Sequence, residues 1–405
     1  MGGEIGRSGS GVGDSVKDQV GLVPGGGAAI AAPQQSRSGE SSAAAGAGLL
    51  IGIQMLRGCA ALLVILAHAN LMMRYPRYFH QSPFDIREAG VFGVTVFFAI
   101  SGFIIAIVSL DGDLRARLTI RDFAWRRFVR IMPFLWLAVI GYNILTYVGT
   151  RDIEWMNALR ALVIWPVGGL KPNVIWSLRH ELIFYALFAA TLMVARQRWW
   201  LLGAWFLAPL IVGVSMPLIA GRQLSAGSTG EEFLHVLLMG SDNGANLQFG
   251  AGFLLGILYL KRHAWLQPRR VGGLATVLGV VAAATILVEA MDMPVGLARS
   301  CLWTMLAGVI VWIGIVCERS PRWIERIGIL LGNASFAIYL THNGVLLTAF
   351  EAATKLRLPL PTELLFFVFV ALATGVGLIV HLIVEKPLIA LLSRRRIAPW
   401  QRQNR

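Results

Sequence analysis

The chain has 405 residues, of which 56% are hydrophobic and only 14% are charged. Soluble domains carry about 25% charged residues, so this chain has too few to cover a water-facing surface. The net charge of +14 does not indicate a nucleic-acid partner, because the basic residues stand in short segments between apolar runs, as in the cytoplasmic loops of membrane proteins. We therefore predict an all-α polytopic integral membrane protein.

The two ends of the chain differ in composition from its middle. Residues 1–48 are rich in Gly, Ser and Ala and have no aromatic residue, which predicts a disordered cytoplasmic tail. No basic start leads directly into a short apolar stretch, so we expect no signal peptide. Residues 49–390 form the predicted membrane domain, and residues 391–405 form a basic cytoplasmic tail.

Ten apolar runs are predicted to be membrane-spanning helices. They lie near 50–70, 91–110, 132–148, 175–195, 199–220, 245–260, 272–289, 298–317, 332–353 and 364–385. A shorter apolar piece at 156–166 cannot span a bilayer, and an interfacial or re-entrant helix fits it better.

Basic residues predict the orientation of these spans. The loop between the second and third spans holds six arginines, Arg115, Arg117, Arg121, Arg126, Arg127 and Arg130. The loops after the fourth, sixth and eighth spans hold two, four and three basic residues and the C-terminal tail holds six, whereas the alternate loops carry three, three, one, one and two. Both termini are therefore predicted to be cytoplasmic.

The first span contains two ionisable residues, Arg57 and His68. Their spacing is three helical turns plus about 20°, which places them on one face at a separation of roughly 16 Å along the axis. In the predicted orientation Arg57 lies near the cytoplasm and His68 toward the far side. Buried ionisable residues usually face a bundle interior or a wet cavity. The alternative is that Arg57 is a snorkelling anchor and His68 is a polar residue of the core.

Arg127 and Arg130 are i,i+3 neighbours before the third span, so a helix would present their guanidinium groups side by side. Two such groups suit phosphate, which each can bind bidentately. The alternative is an ordinary cluster of cytoplasmic positive charge.

The fourth span carries Ser177, Glu181 and Tyr185 at i,i+4,i+8, directly after Trp176. A carboxylate at this depth needs a partner, such as His68, an arginine or a ligand. A structural ion pair is the alternative.

Hydroxyl and imidazole groups occur in two further spans. Thr95 and Ser101 lie in the second span, and Tyr339 and His342 are i,i+3 neighbours in the ninth. For this last pair a hydrogen bond in the core is the simpler interpretation.

Taken in this order, these segments resemble the acyltransferase 3 family, most closely its bacterial exopolysaccharide and nodulation-factor O-acetyltransferases. The segments are LRGCAALLVILAH at 56–68, GVTVFFAISGF at 93–103, RRFVRIMP at 126–133, IWSLRHELIFY at 175–185, IYLTH at 338–342 and VEKPL at 384–388. The resemblance covers about residues 50–390.

The resemblance implies a ten-helix acyltransferase core in the bacterial inner membrane that uses cytoplasmic acyl-CoA. Arg57 and His68 match the family's first-helix Arg/His motif, Arg127 and Arg130 its paired arginines, and Glu181 the acid of its tryptophan-serine motif. Thr95 stands where many members have Asp, which puts in doubt any role for a carboxylate at that position.

Physical reasoning and the resemblance together suggest one scheme. Arg127 and Arg130, with Arg57, hold the CoA phosphates of acetyl-CoA or another acyl-CoA. His68 takes the proton of a polysaccharide hydroxyl, because imidazole is basic enough at neutral pH, and Glu181 orients His68 or binds the sugar. Supporting positions are Ser101, Trp176, Ser177, Tyr185 and His342. Ser101, Ser177 or a backbone N–H is the candidate oxyanion donor.

Two other functions fit parts of the pattern. A polytopic transporter also has buried charges, and an acyltransferase acting on lipid or another non-polysaccharide acceptor shares a histidine base. The three cysteines, Cys59, Cys301 and Cys317, have no CxxC spacing, so we expect neither a zinc site nor another metal.

Overall fold

The computed structural model describes most of the chain. The described residues are 35–193, 199–220, 228–240, 244–263, 266, 273–317, 321–357 and 359–397. The chain divides into two units, Met1–Ala43 and Ala44–Arg405, and the second unit contains the helical bundle. Residues 1–34 and 398–405 of the two predicted tails lie outside the described part. The rest of each tail, residues 35–48 and 391–397, belongs to a helix.

The described residues form thirteen α-helices. They are α1 (Gln35–Met73), α2 (Ala89–Ser109), α3 (Ile120–Thr150), α4 (Trp155–Val163), α5 (Trp176–Met193), α6 (Trp199–Ala220), α7 (Thr229–Leu234), α8 (Ala245–Leu260), α9 (Leu274–Met291), α10 (Leu297–Val316), α11 (Arg322–Lys355), α12 (Thr362–Val380) and α13 (Lys386–Ile397). A 3-10 turn, Asn173–Ile175, leads into α5, and π-helical turns at His235–Met239 and His381–Glu385 follow α7 and α12.

The predicted all-α class is confirmed, and each of the predicted spans coincides with a helix. Within the described residues, six helices are long and apolar enough to cross a membrane: α1, α2, α3, α6, α10 and the segment that begins with α12. Two more, α8 and most of α9, are apolar but shorter. The chain is thus a multi-pass membrane protein, while the number of ten spans and the cytoplasmic position of both termini stay predictions.

Two helices begin earlier than hydropathy predicts. The third span was expected from residue 132, but α3 starts at Ile120, and α11 starts at Arg322 rather than at residue 332. Arginine is a good helix former, so a charged stretch outside the apolar run continues the helix. Consequently Arg127 and Arg130 lie on a regular helix, one turn apart.

The short apolar piece that was predicted to be an interfacial or re-entrant helix contains α4, which has nine residues and is too short to span. Trp155, Met156, Leu159 and Val163 on this helix, and Trp165 just after it, are all more than half exposed. An outward apolar face rich in tryptophan suits the boundary between lipid and water.

Helix α2 lies at the centre of the bundle because glycines allow its neighbours to approach closely. A Cβ atom at Gly102 would overlap the carbonyl oxygen of Phe249 on α8, and one at Gly252 would overlap that of Ala99. On the side that faces α1, Gly93 is similarly close to the backbone of Ala60. Small residues replace a hydrophobic driving force in helix packing within lipid, and here they bring α1, α2 and α8 together around the site.

A carboxylate from another helix caps the start of α2. The side chain of Glu289 on α9 accepts backbone N–H groups of Arg87 at 3.0 Å, Glu88 at 2.8 Å and Ala89 at 2.8 Å. These donors have no partner within α2, and negative charge is favoured at a helix N-terminus. Glu88 in turn pairs with Arg299 of α10 at 3.2 Å. The loop between α1 and α2 is therefore tied to α9 and α10.

Replacing Glu289 with Gln should lower the thermal unfolding midpoint of the detergent-solubilised protein. The amide lacks the charge and one of the two acceptor oxygens, so we expect a loss of about 1–2 kcal/mol of stability. Asp113→Asn, in the exposed turn after α2, serves as the control and should not move the midpoint. An equal midpoint in both variants would mean that the cap contributes nothing measurable.

The predicted orientation is tested by reporter fusions. Fusions after residue 405 and within 111–119 should report a cytoplasmic position, because the adjoining segments are rich in arginine. Fusions within 74–88 and 151–154 should report the opposite side. A cytoplasmic signal from 74–88 would invert the orientation of α1.

Candidate active site

His68 lies in the C-terminal half of α1, and one nitrogen of its ring is hydrogen-bonded to the backbone of the same helix. Its Nδ1 is 2.9 Å from the carbonyl oxygen of Val64. A carbonyl only accepts, so Nδ1 carries the proton and Nε2 keeps its lone pair. The ring is half-buried. His68 is therefore held by its own helix in the tautomer that a general base requires.

A second imidazole packs against the first. His342 of α11 is fully buried, and its ring centroid is 4.9 Å from that of His68 in an edge-to-face arrangement. Its Nδ1 donates to the carbonyl oxygen of Tyr339 at 2.6 Å. Its Nε2 has no hydrogen-bond partner among the described residues. The sequence favoured a core hydrogen bond for His342, which is present, but did not reveal the contact with His68.

His68 lines a cavity of about 450 Å³ between α1, α2 and α5. We call it the histidine cavity; its walls include Val64, His68, Asn70, Arg74, Val94, Trp176 and Tyr339. Apolar side chains make up most of the remaining lining.

A second, narrower cavity of about 160 Å³ contains the predicted arginines. We call it the arginine cavity; its lining includes Arg57, Val94, Ser101, Arg127, Arg130, Ser177, Glu181, Tyr185 and Tyr339. All three predicted cofactor-binding arginines, from α1 and α3, are thus brought together although they are distant in sequence.

Glu181 organises one wall of the arginine cavity. Its Oε1 accepts the hydroxyl of Ser101 at 2.8 Å and also that of Tyr185. The guanidinium carbon of Arg127 lies 5.2 Å from the centroid of the Tyr185 ring, at cation–π distance. The Nε of Arg127 is buried without a hydrogen-bond partner in the described part of the chain. Arg127 is thus supported by aromatic rings and retains an unused donor.

Both positively and negatively charged side chains interact with Arg57. It donates to the side chain of Gln54 at 3.2 Å, and it interacts electrostatically with Arg130, Glu181 and Glu385. Glu385, within the VEKPL segment, is fully buried. Two carboxylates therefore offset part of the positive charge of the arginine cavity.

Glu385 has a partner of its own in the π-helical turn after α12. One of its oxygens is 2.6 Å from Nδ1 of His381. The other oxygen has no hydrogen-bond partner among the described residues. No role for this pair was predicted from the sequence, although the resemblance included its segment.

Tyr339 and Val94 form the wall that the two cavities share. The hydroxyl of Tyr339 donates to the carbonyl oxygen of Val174 at 2.6 Å. Because that proton is used, the hydroxyl of Ser177, 2.8 Å away, donates to Tyr339. The tyrosine is consequently held in place between the cavities.

The predicted site residues thus fall into two neighbouring groups. Trp176 and His342 accompany His68, whereas the arginines are accompanied by Ser101, Ser177, Glu181 and Tyr185. Glu181 is not among the residues that line the histidine cavity in the described structure. Of its two predicted roles, orienting His68 would need a nitrogen of the ring, and Nδ1 is hydrogen-bonded to the carbonyl oxygen of Val64. Thr95 is buried and bonds to Val91 within α2.

Two residues of the histidine cavity were missed by sequence reasoning. Asn70 is 2% exposed, and Arg74 follows the end of α1 by one residue. Both come soon after His68, and an amide buried at the end of a span is the signal that would have found Asn70.

The arrangement provides two chemical functions side by side. The arginine cavity offers guanidinium groups to an anion, and the histidine cavity offers a nitrogen base to a neutral hydroxyl. Along α1, Arg57 and His68 stand roughly 16 Å apart. An elongated molecule with an anionic end and a reactive far end fits such a pair of cavities.

Comparison with known proteins identifies relatives and a family. The chain is 28% identical over 323 residues to the exopolysaccharide production protein ExoZ of Rhizobium meliloti (strain 1021), which covers 76% of this chain and 92% of that protein. It is 25% identical over 378 residues to the acyltransferase MdmB of Streptomyces mycarofaciens, which covers 84% of this chain and 92% of that protein. No solved structure matches. The family model described as an acyltransferase domain matches residues 50–382. The chain is therefore an acyltransferase and belongs to this acyltransferase-domain family.

Proposed function

We propose that this enzyme transfers an acetyl or other short acyl group from acyl-CoA to a hydroxyl of an exported polysaccharide at the bacterial inner membrane. One observation carries the proposal: the arginine cavity and the histidine cavity adjoin at Val94 and Tyr339. The donor is an elongated molecule with phosphates at one end and the thioester at the other. The phosphates of this donor suit the arginine cavity, and its thioester has to lie near the base in the histidine cavity.

The arginine cavity supplies the donor site. Arg57, Arg127 and Arg130 provide planar guanidinium groups, which bind phosphate in bidentate fashion. The buried and unpartnered Nε of Arg127 is a donor that such a phosphate would satisfy. Glu181 acts here as a positioning residue, since it holds the Tyr185 hydroxyl, and the Tyr185 ring supports Arg127.

His68 supplies the base. Its Nε2 takes the proton of the acceptor hydroxyl while the hydroxyl oxygen attacks the thioester carbonyl. The tetrahedral intermediate collapses as the carbon–sulfur bond breaks, and the imidazolium returns its proton to the departing CoA thiolate. The products are the ester and CoA, and no covalent acyl-enzyme forms. His342 holds one edge of the His68 ring in place.

The two serine hydroxyls are poor candidates for the oxyanion donor. The proton of Ser101 is engaged by Glu181, and that of Ser177 by Tyr339. Trp176 lines the histidine cavity and has an indole N–H, so we assign the oxyanion contact to it. Preorganised donors of this kind are a major source of catalysis in acyl transfer.

The polysaccharide acceptor is favoured by the name of one relative, the exopolysaccharide production protein. The direct assay uses the purified protein in lipid nanodiscs with radiolabelled acetyl-CoA and chemically deacylated exopolysaccharide from the producing cell. Label in the polysaccharide fraction is the expected result. Label confined to the lipid fraction would identify a lipid acceptor, and no label in either would refute the donor.

His68→Ala should reduce kcat by about 10²–10⁴, because a general base contributes that much to proton transfer. The KM for acetyl-CoA should stay close to the wild-type value, since the arginine cavity is untouched. His80→Asn is the control: His80 is exposed, and Asn tolerates its left-handed backbone conformation. Wild-type turnover in His68→Ala would remove His68 from the mechanism.

The double variant Arg127→Gln with Arg130→Gln should raise the KM for acetyl-CoA about 10- to 100-fold, because charge-assisted contacts with phosphate are lost. The effect should be largest at low ionic strength. Arg121→Gln with Arg126→Gln removes the same charge from exposed positions of the same helix. Equal effects of the two double variants would mean that the pair serves only orientation in the membrane.

A further inference from the structure

Two buried polar atoms of the histidine cavity have no hydrogen-bond partner among the described residues. Asn70 is 2% exposed, and its amide nitrogen donates to the carbonyl oxygen of Ile86. Its Oδ1 atom has no partner in the described part of the chain, and neither has the Nε of Arg74. Both residues line the cavity that contains His68. Buried polar groups are nearly always bonded, so these two atoms are available to bond a molecule that enters the cavity.

The rest of the Arg74 side chain is firmly held. One terminal nitrogen donates to the carbonyl oxygen of Phe84 at 3.0 Å and to Asp85 at 2.8 Å. Asp85 also accepts two hydrogen bonds from Arg87, at 2.8 Å and 3.1 Å. The hydrogen bond with Arg87, more than any other contact, holds the pKa of Asp85 below its ordinary value. Asp85 therefore stays ionised and anchors Arg74.

The two free atoms have complementary chemistry. Asn70 and Arg74 are four residues apart at the end of α1, so their side chains are neighbours. Oδ1 of Asn70 accepts a hydrogen bond, and Nε of Arg74 donates one. A hydroxyl group does both at once, whereas a carboxylate has no proton to offer Asn70 and an ammonium group cannot accept from Arg74.

The surrounding walls fit a sugar ring. Leu71, Ile86 and Val91 are apolar, and Trp176 contributes an aromatic surface to the same cavity. Carbohydrate rings combine apolar C–H faces with a rim of hydroxyls. Such a ring can place its faces on these walls and two of its hydroxyls on polar atoms.

We propose that Asn70 and Arg74 form an acceptor subsite that binds a second hydroxyl of the carbohydrate, adjacent to the hydroxyl that His68 deprotonates. This inference rests on the proposed function and specifies which residues select the acceptor. A site built to bond a hydroxyl rejects analogues that lack it, because its polar atoms are then left unsatisfied. The subsite therefore favours polyhydroxylated acceptors over simple alcohols.

The test compares Arg74→Lys with Arg77→Lys in the labelled acetyl-CoA and deacylated exopolysaccharide assay. Lysine at position 74 keeps the charge beside Asp85 but has no atom equivalent to Nε. Arg77 lies in the same loop, where it pairs with Glu351. We expect Arg74→Lys to raise the KM for the polysaccharide about tenfold and to leave the KM for acetyl-CoA unchanged. Arg77→Lys should alter neither constant.

Asn70→Ala provides an independent variant. It should raise the same polysaccharide KM. A wild-type KM for acetyl-CoA in this variant would establish that the donor site is intact. If Arg74→Lys does not fold, Asn70→Ala alone tests the subsite. Unchanged polysaccharide KM in the variants that fold would overturn the subsite alone, because wild-type transfer would still support the proposed function. Absence of transfer in the wild type and in Arg77→Lys would refute the proposed function, and the subsite with it.

Discussion

Charge inside this bundle has to be compensated by protein, since the lipid around it solvates neither guanidinium nor carboxylate groups. The compensation is incomplete. Glu181 and Glu385 offset part of the charge of Arg57, and the ring of Tyr185 supports Arg127. Among the described residues that line the arginine cavity, however, three arginines stand with one carboxylate, that of Glu181. The remaining positive charge suits the proposed anionic donor, and the roles proposed for the other site residues depend on that constraint.

Helix α1 holds both Arg57, which lines the arginine cavity, and His68, which lines the histidine cavity. His68 stands three turns farther along α1, where Val64 fixes its tautomer and most of the residues that line its cavity are apolar. A general base has to take up a proton and become an imidazolium, which the positive charge of nearby arginines would oppose. Separation along a rigid helix avoids that opposition without a loop, and rigid elements position reactive groups more accurately than loops do.

Much of this was predictable from the sequence, and the remainder depended on contacts between helices. Apolar runs located every long helix, and i,i+3 or i,i+4 spacing placed Arg127 beside Arg130 and Glu181 beside Tyr185, because neighbours on one helix obey a fixed geometry. The contact between His68 and His342 was not predictable, since the depth to which α11 enters against α1 is decided by packing rather than by periodicity. For the same reason the sequence left the partner of Glu181 open between His68, an arginine and a ligand, and the structure places Glu181 in the cavity that the arginines line.

The immobilised Tyr339 has a consequence for the cell rather than for the reaction. A cytoplasmic cavity and an outward cavity that met in an open passage would conduct protons and dissipate the gradient that drives transport and ATP synthesis. Tyr339 is held by Val174 and Ser177 at the boundary, so the proposed donor has to pass beside its ring rather than displace it. In the predicted orientation, a ring fixed at this boundary restricts the opening to a slender chain such as the acyl end of the donor, and proton leakage through it is correspondingly small.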